Sequence, residues 1–165
     1  MECTHQEKYN YILCENVFLS LKDTERRINI CSITEDKLIE TFGRPDSVIQ
    51  YNMPVISKDE YFKRNIFEIS EDNVNTAFRL QTNTFKLIIQ DSMKFEVRDS
   101  IDLLIKMFPI SANNQKEESG NQKSIILYLS EQKDLQNISG STSRIIITYL
   151  TSTNRIYMIE KIDLD

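Results

Sequence analysis

The sequence has few of the residues on which most catalytic motifs depend. Its 165 residues include one histidine, three glycines, three cysteines and no tryptophan. Gly43, Gly120 and Gly140 lie too far apart for a phosphate-binding loop or a dinucleotide fingerprint, because both need glycines within a few residues of each other. His5 stands near a terminus that is expected to fray, so it is poorly placed as a catalytic base. We therefore expect no enzymatic activity and no cofactor.

The cysteines do not form a metal-binding pattern. Zinc sites need cysteines and histidines in closely spaced pairs, and Cys3, Cys14 and Cys31 contain no such pair. We therefore predict no metal site. Two interpretations of the odd number of cysteines remain open. Either Cys14 and Cys31 are bridged and Cys3 is left over, or all three are reduced thiols of a cytosolic protein.

The charge balance favours a protein partner over a nucleic acid. Twenty lysines and arginines stand against 25 aspartates and glutamates, a formal net charge of −5. Binding to nucleic acids or anionic membranes relies on an excess of positive charge, which this chain lacks. The longest apolar runs fall short of the roughly 18 residues that a membrane-spanning helix needs, so we expect no transmembrane segment.

The N-terminal residues 1–8 (MECTHQEK) are predicted to be a polar tether. They resemble the start of a mature bacterial lipoprotein, in which a lipidated cysteine opens such a tether, with Met1 and Glu2 in place of a removed signal peptide. This resemblance makes Cys3 a candidate for lipidation and places the protein in the cell envelope or periplasm. Alternatively, Cys3 is an incidental residue and the protein is cytoplasmic.

The first half of the chain predicts a hairpin followed by a helix. Residues 17–21 and 27–31 are apolar, β-branched runs joined by a charged turn. A helical stripe of apolar residues follows over 33–42, with Thr34 as its N-cap or Ser32 in a capping box. Gly43 can take a left-handed C-terminal conformation, and Pro45 prevents continuation. Extended runs are predicted at 47–51, 66–70 and 74–80.

The second half repeats this order. A hairpin is predicted over 85–89 and 93–97, and a helix over 99–108 that begins at Asp99 or Ser100 and stops at Pro109. Extended runs follow at 124–130, 144–151 and 155–162. The repetition predicts an α+β fold of two similar units, each a short helix or helices packed on an antiparallel β-sheet. The units span 9–84 and 85–165 and pack as one compact domain.

Residues 33–48 (ITEDKLIETFGRPDSV) resemble the helix-plus-LGxPD signature of small outer-membrane lipoproteins of the SmpA/OmlA type. Two such units in tandem resemble the architecture of the β-lactamase inhibitor proteins. The chain differs from both families at Ser32 and Arg98, where they usually have a glycine before the helix. The resemblance implies a bacterial cell-envelope protein that acts as an assembly factor or inhibitor.

Aromatic residues and an arginine provide the candidate binding surface, because such side chains supply most of the energy at protein interfaces. Residues 52–65 are predicted to be the loop that carries specificity, although Tyr61 and Phe62 could instead close over the sheet. Polar stretches at 113–123 and 132–142 are predicted to be solvated loops. The predicted binding residues are Tyr51, Tyr61, Phe62, Arg64, Tyr128 and Tyr157.

Three functions fit these observations. The favoured one is a non-enzymatic module that binds another protein. The second is a carrier of a small apolar ligand or lipid, which requires an enclosed cavity of about 300 Å³ or more between helix and sheet. The third is a small acid–base enzyme, which requires a cleft where two carboxylates or tyrosines converge with perturbed pKa values.

Overall fold

The computed structural model describes residues 8–53, 56–71, 76–131 and 143–163. Residues 1–7 of the predicted tether, including Cys3, lie outside the described residues. The predicted loop at 132–142 lies outside them as well.

The described residues form mostly β-structure with three short α-helices. The helices are α1 (Glu35–Phe42), α2 (Asp102–Met107) and α3 (Pro109–Asn113). The strands are β1 (Asn10–Leu13), β2 (Val17–Leu21), β3 (Arg27–Asn29), β4 (Ser47–Tyr51), β5 (Ser57–Phe62), β6 (Asn65–Ser70), β7 (Thr76–Leu80), β8 (Phe85–Ile89), β9 (Met93–Phe95), β10 (Lys116–Glu117), β11 (Gln122–Ser130), β12 (Ser143–Leu150) and β13 (Arg155–Asp163).

These strands form two sheets. Nine of them make a large sheet in the order β1-β11-β12-β13-β7-β6-β5-β4, with β10 also paired to β11, and four make a small sheet in the order β3-β2-β8-β9. Strand β1 runs parallel to β11, whereas the other pairings are antiparallel. The predicted α+β class with antiparallel sheet is confirmed.

Both halves of the chain contribute strands to both sheets. The antiparallel pair β2–β8 joins them in the small sheet, and the antiparallel pair β13–β7 and the parallel pair β1–β11 join them in the large one. The expectation that each half would carry a sheet of its own is therefore wrong. Without these pairings, β2 and β7 would be edge strands with unpaired backbone groups and apolar side chains, a state that natural sheets avoid.

The core lies between the two sheets and beneath the helices. Phe67 of β6 meets Phe85 of β8 edge-on, with ring centroids 5.6 Å apart, so the contact crosses from one sheet to the other. Leu38 of α1 and Leu104 of α2 are both fully buried in the same apolar cluster. Burial of such side chains provides the main driving force of folding, about 1.5–3 kcal/mol for each large residue.

Helix α1 begins and ends where the sequence predicts. The Thr34 side chain accepts a hydrogen bond from the Lys37 N–H, as an N-cap does. Gly43 follows the last turn with φ +87°, a conformation that side chains other than glycine rarely adopt. Both capping residues are part of the local sequence, so the ends of the helix can be predicted without tertiary information.

The second helical segment differs from its prediction. The helix begins at Asp102 with Ile101 as its N-cap, so the predicted cap at Asp99 or Ser100 is wrong, although the Ser100 hydroxyl accepts a hydrogen bond from the Asp102 N–H. Pro109 ends α2, but it also begins α3 as the first helical residue. Proline suits that position because its missing N–H would be unsatisfied there anyway and its φ angle is already helical.

The predicted specificity loop at 52–65 is also corrected. Residues Ser57–Phe62 form β5, which pairs with β4 on one side and β6 on the other. Extended run 47–51 is therefore followed by an additional strand that the sequence did not indicate. The composition of this strand (SKDEYF) favours a loop prediction, because charged residues are usually depleted in strands.

The segment 113–123, predicted to be a solvated loop, is mostly exposed and contains the short strand β10.

A disulfide joins Cys14 and Cys31, whose Cα atoms are 5.7 Å apart. It connects two 3₁₀ turns, Cys14–Asn16 and Ile30–Ser32, that flank the β2–β3 hairpin. Of the two interpretations of the cysteines, the bridged pair is the one observed.

Removal of this disulfide should destabilise the protein. A Cys14→Ser/Cys31→Ser variant is expected to lose about 3 kcal/mol in free energy of unfolding, because a cross-link of this span restricts the unfolded chain. Urea denaturation of the oxidised parent and the variant measures the difference. Equal stability of the two proteins would contradict a structural role for the bridge.

Candidate functional site

Two of the predicted binding residues lie together on one face of the large sheet. Strands β4 and β5 pair so that Ser47 faces Tyr61, Ile49 faces Asp59 and Tyr51 faces Ser57. Residues that are paired directly share a face, so Tyr51, Ile49 and Tyr61 lie on the same side of this hairpin. We call this side the outer face, since the opposite side of the sheet carries the core.

The other predicted residues do not join them. Phe62 is 6% exposed and packs edge-on against Phe67 and Phe85, so it belongs to the core. Its prediction as a binding residue is wrong, because alternation along β5 directs it inward. Arg64 is exposed in the tight β5–β6 turn, where it takes a left-handed φ of +72°.

Tyr128 and Tyr157 lie elsewhere in the large sheet. Tyr128 is 6% exposed, and its ring contacts those of Tyr9 and Tyr11 near β1. Tyr157 is half exposed on β13, beside the irregularity in its pairing with β12. The six predicted residues therefore occupy separate regions, and only Tyr51 and Tyr61 share one face of the same hairpin.

Strand β4 is the exposed edge of the large sheet. Within the described residues it pairs only with β5, and all five of its residues are exposed. Five of the ten most exposed large apolar side chains in the described part of the chain fall between positions 48 and 56. They are Val48, Ile49, Tyr51, Met53 and Ile56. This apolar edge is the candidate functional site.

Carboxylates lie next to this edge on the outer face. Asp59 of β5 stands between Ile49 of β4 and Glu68 of β6 in the pairing register. The negative charge of Asp59 is the main cause that raises the pKa of Tyr51. The outer face therefore combines an apolar edge with a negatively charged row behind it.

On the opposite, inner side of the hairpin, the buried carboxyl group of Glu60 lies next to the partly exposed carboxyl group of Glu35 on α1. Glu60 is 1% exposed, and its position faces Val48 on one side and Phe67 on the other. Glu35, in the first turn of α1, forms an ion pair with Lys58 and hydrogen-bonds to Glu60. The Oε2 atom of Glu60 is buried and has no hydrogen-bond partner among the described residues.

This environment favours the protonated form of Glu60. Burial is the largest cause, followed by the charge of Glu35 and the hydrogen bond with it, and together they raise the pKa of Glu60 to about 7. Lys58 opposes the shift. The protonated Glu60 can donate to the Glu35 carboxylate, whereas a second negative charge there would be buried next to the first.

Two cavities flank the hairpin. One, of about 290 Å³, lies beside the ion pair and is lined partly by Glu35, Gln50 and Lys58. The other, of about 490 Å³, lies over β5, β6, β7 and β13, and six of its twelve lining residues are ionisable. The polar chemistry of this second cavity does not suit an apolar ligand.

Sequence reasoning missed the two residues that define the site best. Ile49 and Glu60 are ordinary members of short strands, and nothing in their spacing separates them from core or surface residues. Their roles arise from sheet order, which leaves β4 at the edge, and from the approach of α1 to β5. To find these two residues from the sequence, 57–62 would first have to be predicted as a strand.

Comparison with solved structures finds an extracellular protein containing a SCP domain from Bacillus anthracis str. Ames, with a TM-score of 0.49 and 8% sequence identity. The match covers 87% of this chain and 48% of that protein, so this chain spans about half of its length. No protein-family model and no curated protein matches the sequence. In the described residues, no helix is long and apolar enough to span a membrane.

The buried Glu60 should make stability depend on pH. Between about pH 4.5 and 7 the folded protein retains a proton that the unfolded chain releases, so stability should fall as the pH rises through this window. With about 1.4 kcal/mol for each pKa unit, the loss is about 3 kcal/mol. A Glu60→Gln variant should lack this part of the pH dependence in urea denaturation series.

The matched control is Glu40→Gln, which changes an exposed glutamate on α1. It should keep the parental pH profile. If Glu60→Gln also keeps that profile, Glu60 is not the group that titrates in the folded protein.

Proposed function

We propose that this protein is a non-enzymatic module that binds another protein through the edge strand β4. The observation that carries the proposal is the exposure of the whole strand despite its apolar residues. Val48 is 50% exposed and Ile49 45%, on opposite faces of the same strand. Clusters of this kind mark interaction sites, because soluble monomers seldom leave them uncovered.

An edge strand offers a partner more than apolar area. The backbone N–H and C=O groups that point away from β5 can pair with an extended segment of another chain. Such strand addition obtains affinity from main-chain hydrogen bonds and specificity from alternate side chains. Tyr51 and Tyr61, both predicted to bind, would contribute on the outer face.

The two alternative functions have less support. A lipid carrier needs an apolar cavity, whereas half of the residues that line the 490 Å³ cavity are ionisable. An acid–base enzyme needs a titrating group in contact with substrate. Glu60 has the shifted pKa but is 1% exposed and does not line the neighbouring 290 Å³ cavity. Its contacts suit a structural role between α1 and β5.

The disulfide supports a location outside the cytosol. Disulfides persist in oxidising compartments and are rare in cytosolic proteins, so the Cys14–Cys31 bridge is compatible with the cell envelope or periplasm. The resemblance of 33–48 to SmpA/OmlA-type lipoproteins and a lipid anchor on Cys3 would agree with that location. Both remain predictions.

We also propose that the two halves arose by duplication, and the sheet orders support this. The correspondence matches strands β2 to β7, taken in order, with strands β8 to β13. When each strand is replaced by its counterpart, both sheets show the same strand order read from the opposite end, and among the described strands only β1 has no counterpart. This correspondence matches β4 with β10 and β5 with β11. The order of the predicted extended runs instead matches 47–51 with 124–130, because the prediction does not contain β5.

Site-specific photocrosslinking tests the binding proposal. A photoreactive residue placed at Tyr51 should give a discrete cross-linked protein in cells that naturally produce the chain, because this position lies at the proposed contact. The matched control is Tyr157, which has similar exposure on a distant strand. The same adducts at both positions, or none at Tyr51, would contradict the proposal.

The duplication can be tested with the separated halves. Fragments 9–84 and 85–165 each expose an edge of the β2–β8 and β7–β13 pairings, so each should self-associate and the mixture should form a one-to-one complex. Analytical ultracentrifugation distinguishes these states. Fragments that remain monomeric after mixing would refute the idea that the central pairings join two interchangeable units.

A further inference from the structure

We infer that the partner presents to β4 an extended segment in which basic residues alternate with apolar ones. This inference rests on the proposed function and specifies the chemistry of its partner. It follows from the charges beside the edge, from the ion pairs that already occupy the neighbouring cations, and from the side chains of β4 itself.

The first step is the register of the outer face. Asp59 and Glu68 face each other directly on β5 and β6, next to Ile49 on the edge. Side chains in such positions have Cβ atoms about 5 Å apart, and like charges there are unfavourable. A cation close to the Asp59 carboxylate on the outer face would relieve that repulsion.

The second step is that the nearby cations have other partners. Arg79 forms an ion pair with Glu160 at 3.1 Å, and Lys161 pairs with Asp163 at 3.3 Å. Lys58 points to the inner side and pairs with Glu35. Among the described residues, no lysine or arginine forms an ion pair with Asp59 or Glu68. The negative row is therefore available to a cation from another molecule.

The third step is that a basic side chain on an added strand is long enough to reach Asp59. An added strand would lie about 4.8 Å beyond β4 and about 10 Å from β5. The stem of a lysine or arginine on its outer side can cross the apolar Ile49 and bring the charged head to Asp59. The Tyr51 ring beside it offers a face to the same cation. Residues on the inner side of the added strand would meet Val48, which explains why they should be apolar.

A second copy of this chain fits the edge less well. Strand β4 (SVIQY) has no basic residue, so a twofold pairing of β4 with itself would bring no cation to Asp59 or Glu68. The chain also carries a net charge of −5, which opposes self-association. Charge complementarity therefore selects a basic segment of a different protein.

Peptide binding to the full chain tests the inference. The probe is an eight-residue peptide of alternating arginine and valine, and its comparison is the same peptide with glutamate in place of arginine. Amide chemical shifts in an NMR titration report both the affinity and the location. The arginine peptide should perturb the amides of β4, and the glutamate peptide should bind at least tenfold more weakly. N-methylation of alternate peptide amides should abolish binding, since strand pairing needs those N–H groups.

Charge variants of the protein provide the second arm. Asp59→Asn/Glu68→Gln should weaken binding of the arginine peptide about tenfold, because it removes the ion pair with Asp59 and the attraction of the neighbouring Glu68 charge. The matched control is Glu40→Gln/Glu117→Gln, which removes the same charge from distant exposed positions and should bind like the parent. Equal loss in both double variants would mean non-specific attraction and would overturn the inference.

The outcomes separate this inference from the function on which it rests. If both peptides perturb β4 equally and the charge variants have no effect, the edge binds strands without preference for basic ones, and only the inference fails. If neither peptide perturbs β4 but Tyr51 still crosslinks to a partner, the inference fails and the proposed function stands. If the chain instead pairs with itself through β4, both fail.

Discussion

The antiparallel pairs β2–β8 and β7–β13 are the interactions on which the rest of the structure depends. They join the two halves of the chain into two shared sheets, and the core forms between these sheets. Phe67 and Phe85 come from different halves and from different sheets, and their contact packs one shared sheet against the other. Folding of either half is therefore coupled to the other, as expected for a single cooperative unit of this size.

The same arrangement creates the candidate site. In the described part of the chain, the large sheet ends at β4 on one flank, because the central strands are paired with each other. The carboxyl pair of Glu60 and Glu35, with Lys58, holds the β4–β5 hairpin against α1 and keeps the edge in a defined position. An edge fixed in this way is preorganised for a partner, which lowers the entropic cost of binding.

Local signals in the sequence predicted much of the fold. Thr34 and Gly43 set the ends of α1, and the apolar runs around Leu19 and Leu87 predicted the strands of the small sheet. The candidate site was harder to predict from the sequence than the fold. Strand β5 was missed because two of its charged residues, Lys58 and Glu60, interact with Glu35 of α1, a distant partner that the sequence does not reveal. Sheet order, which decides that Ile49 is exposed and Phe62 buried, is a tertiary property.

The central claim is that β4 is an open edge in the free protein, and residue-resolved amide hydrogen exchange tests it most directly. If the claim is correct, exchange along 47–51 should alternate, with slow amides that bond to β5 and fast amides that point to solvent. Amides of the interior strand β12, by comparison, should be slow throughout 144–149. Uniformly slow exchange across 47–51 would mean that another segment or another molecule already covers the edge, and the account would be wrong.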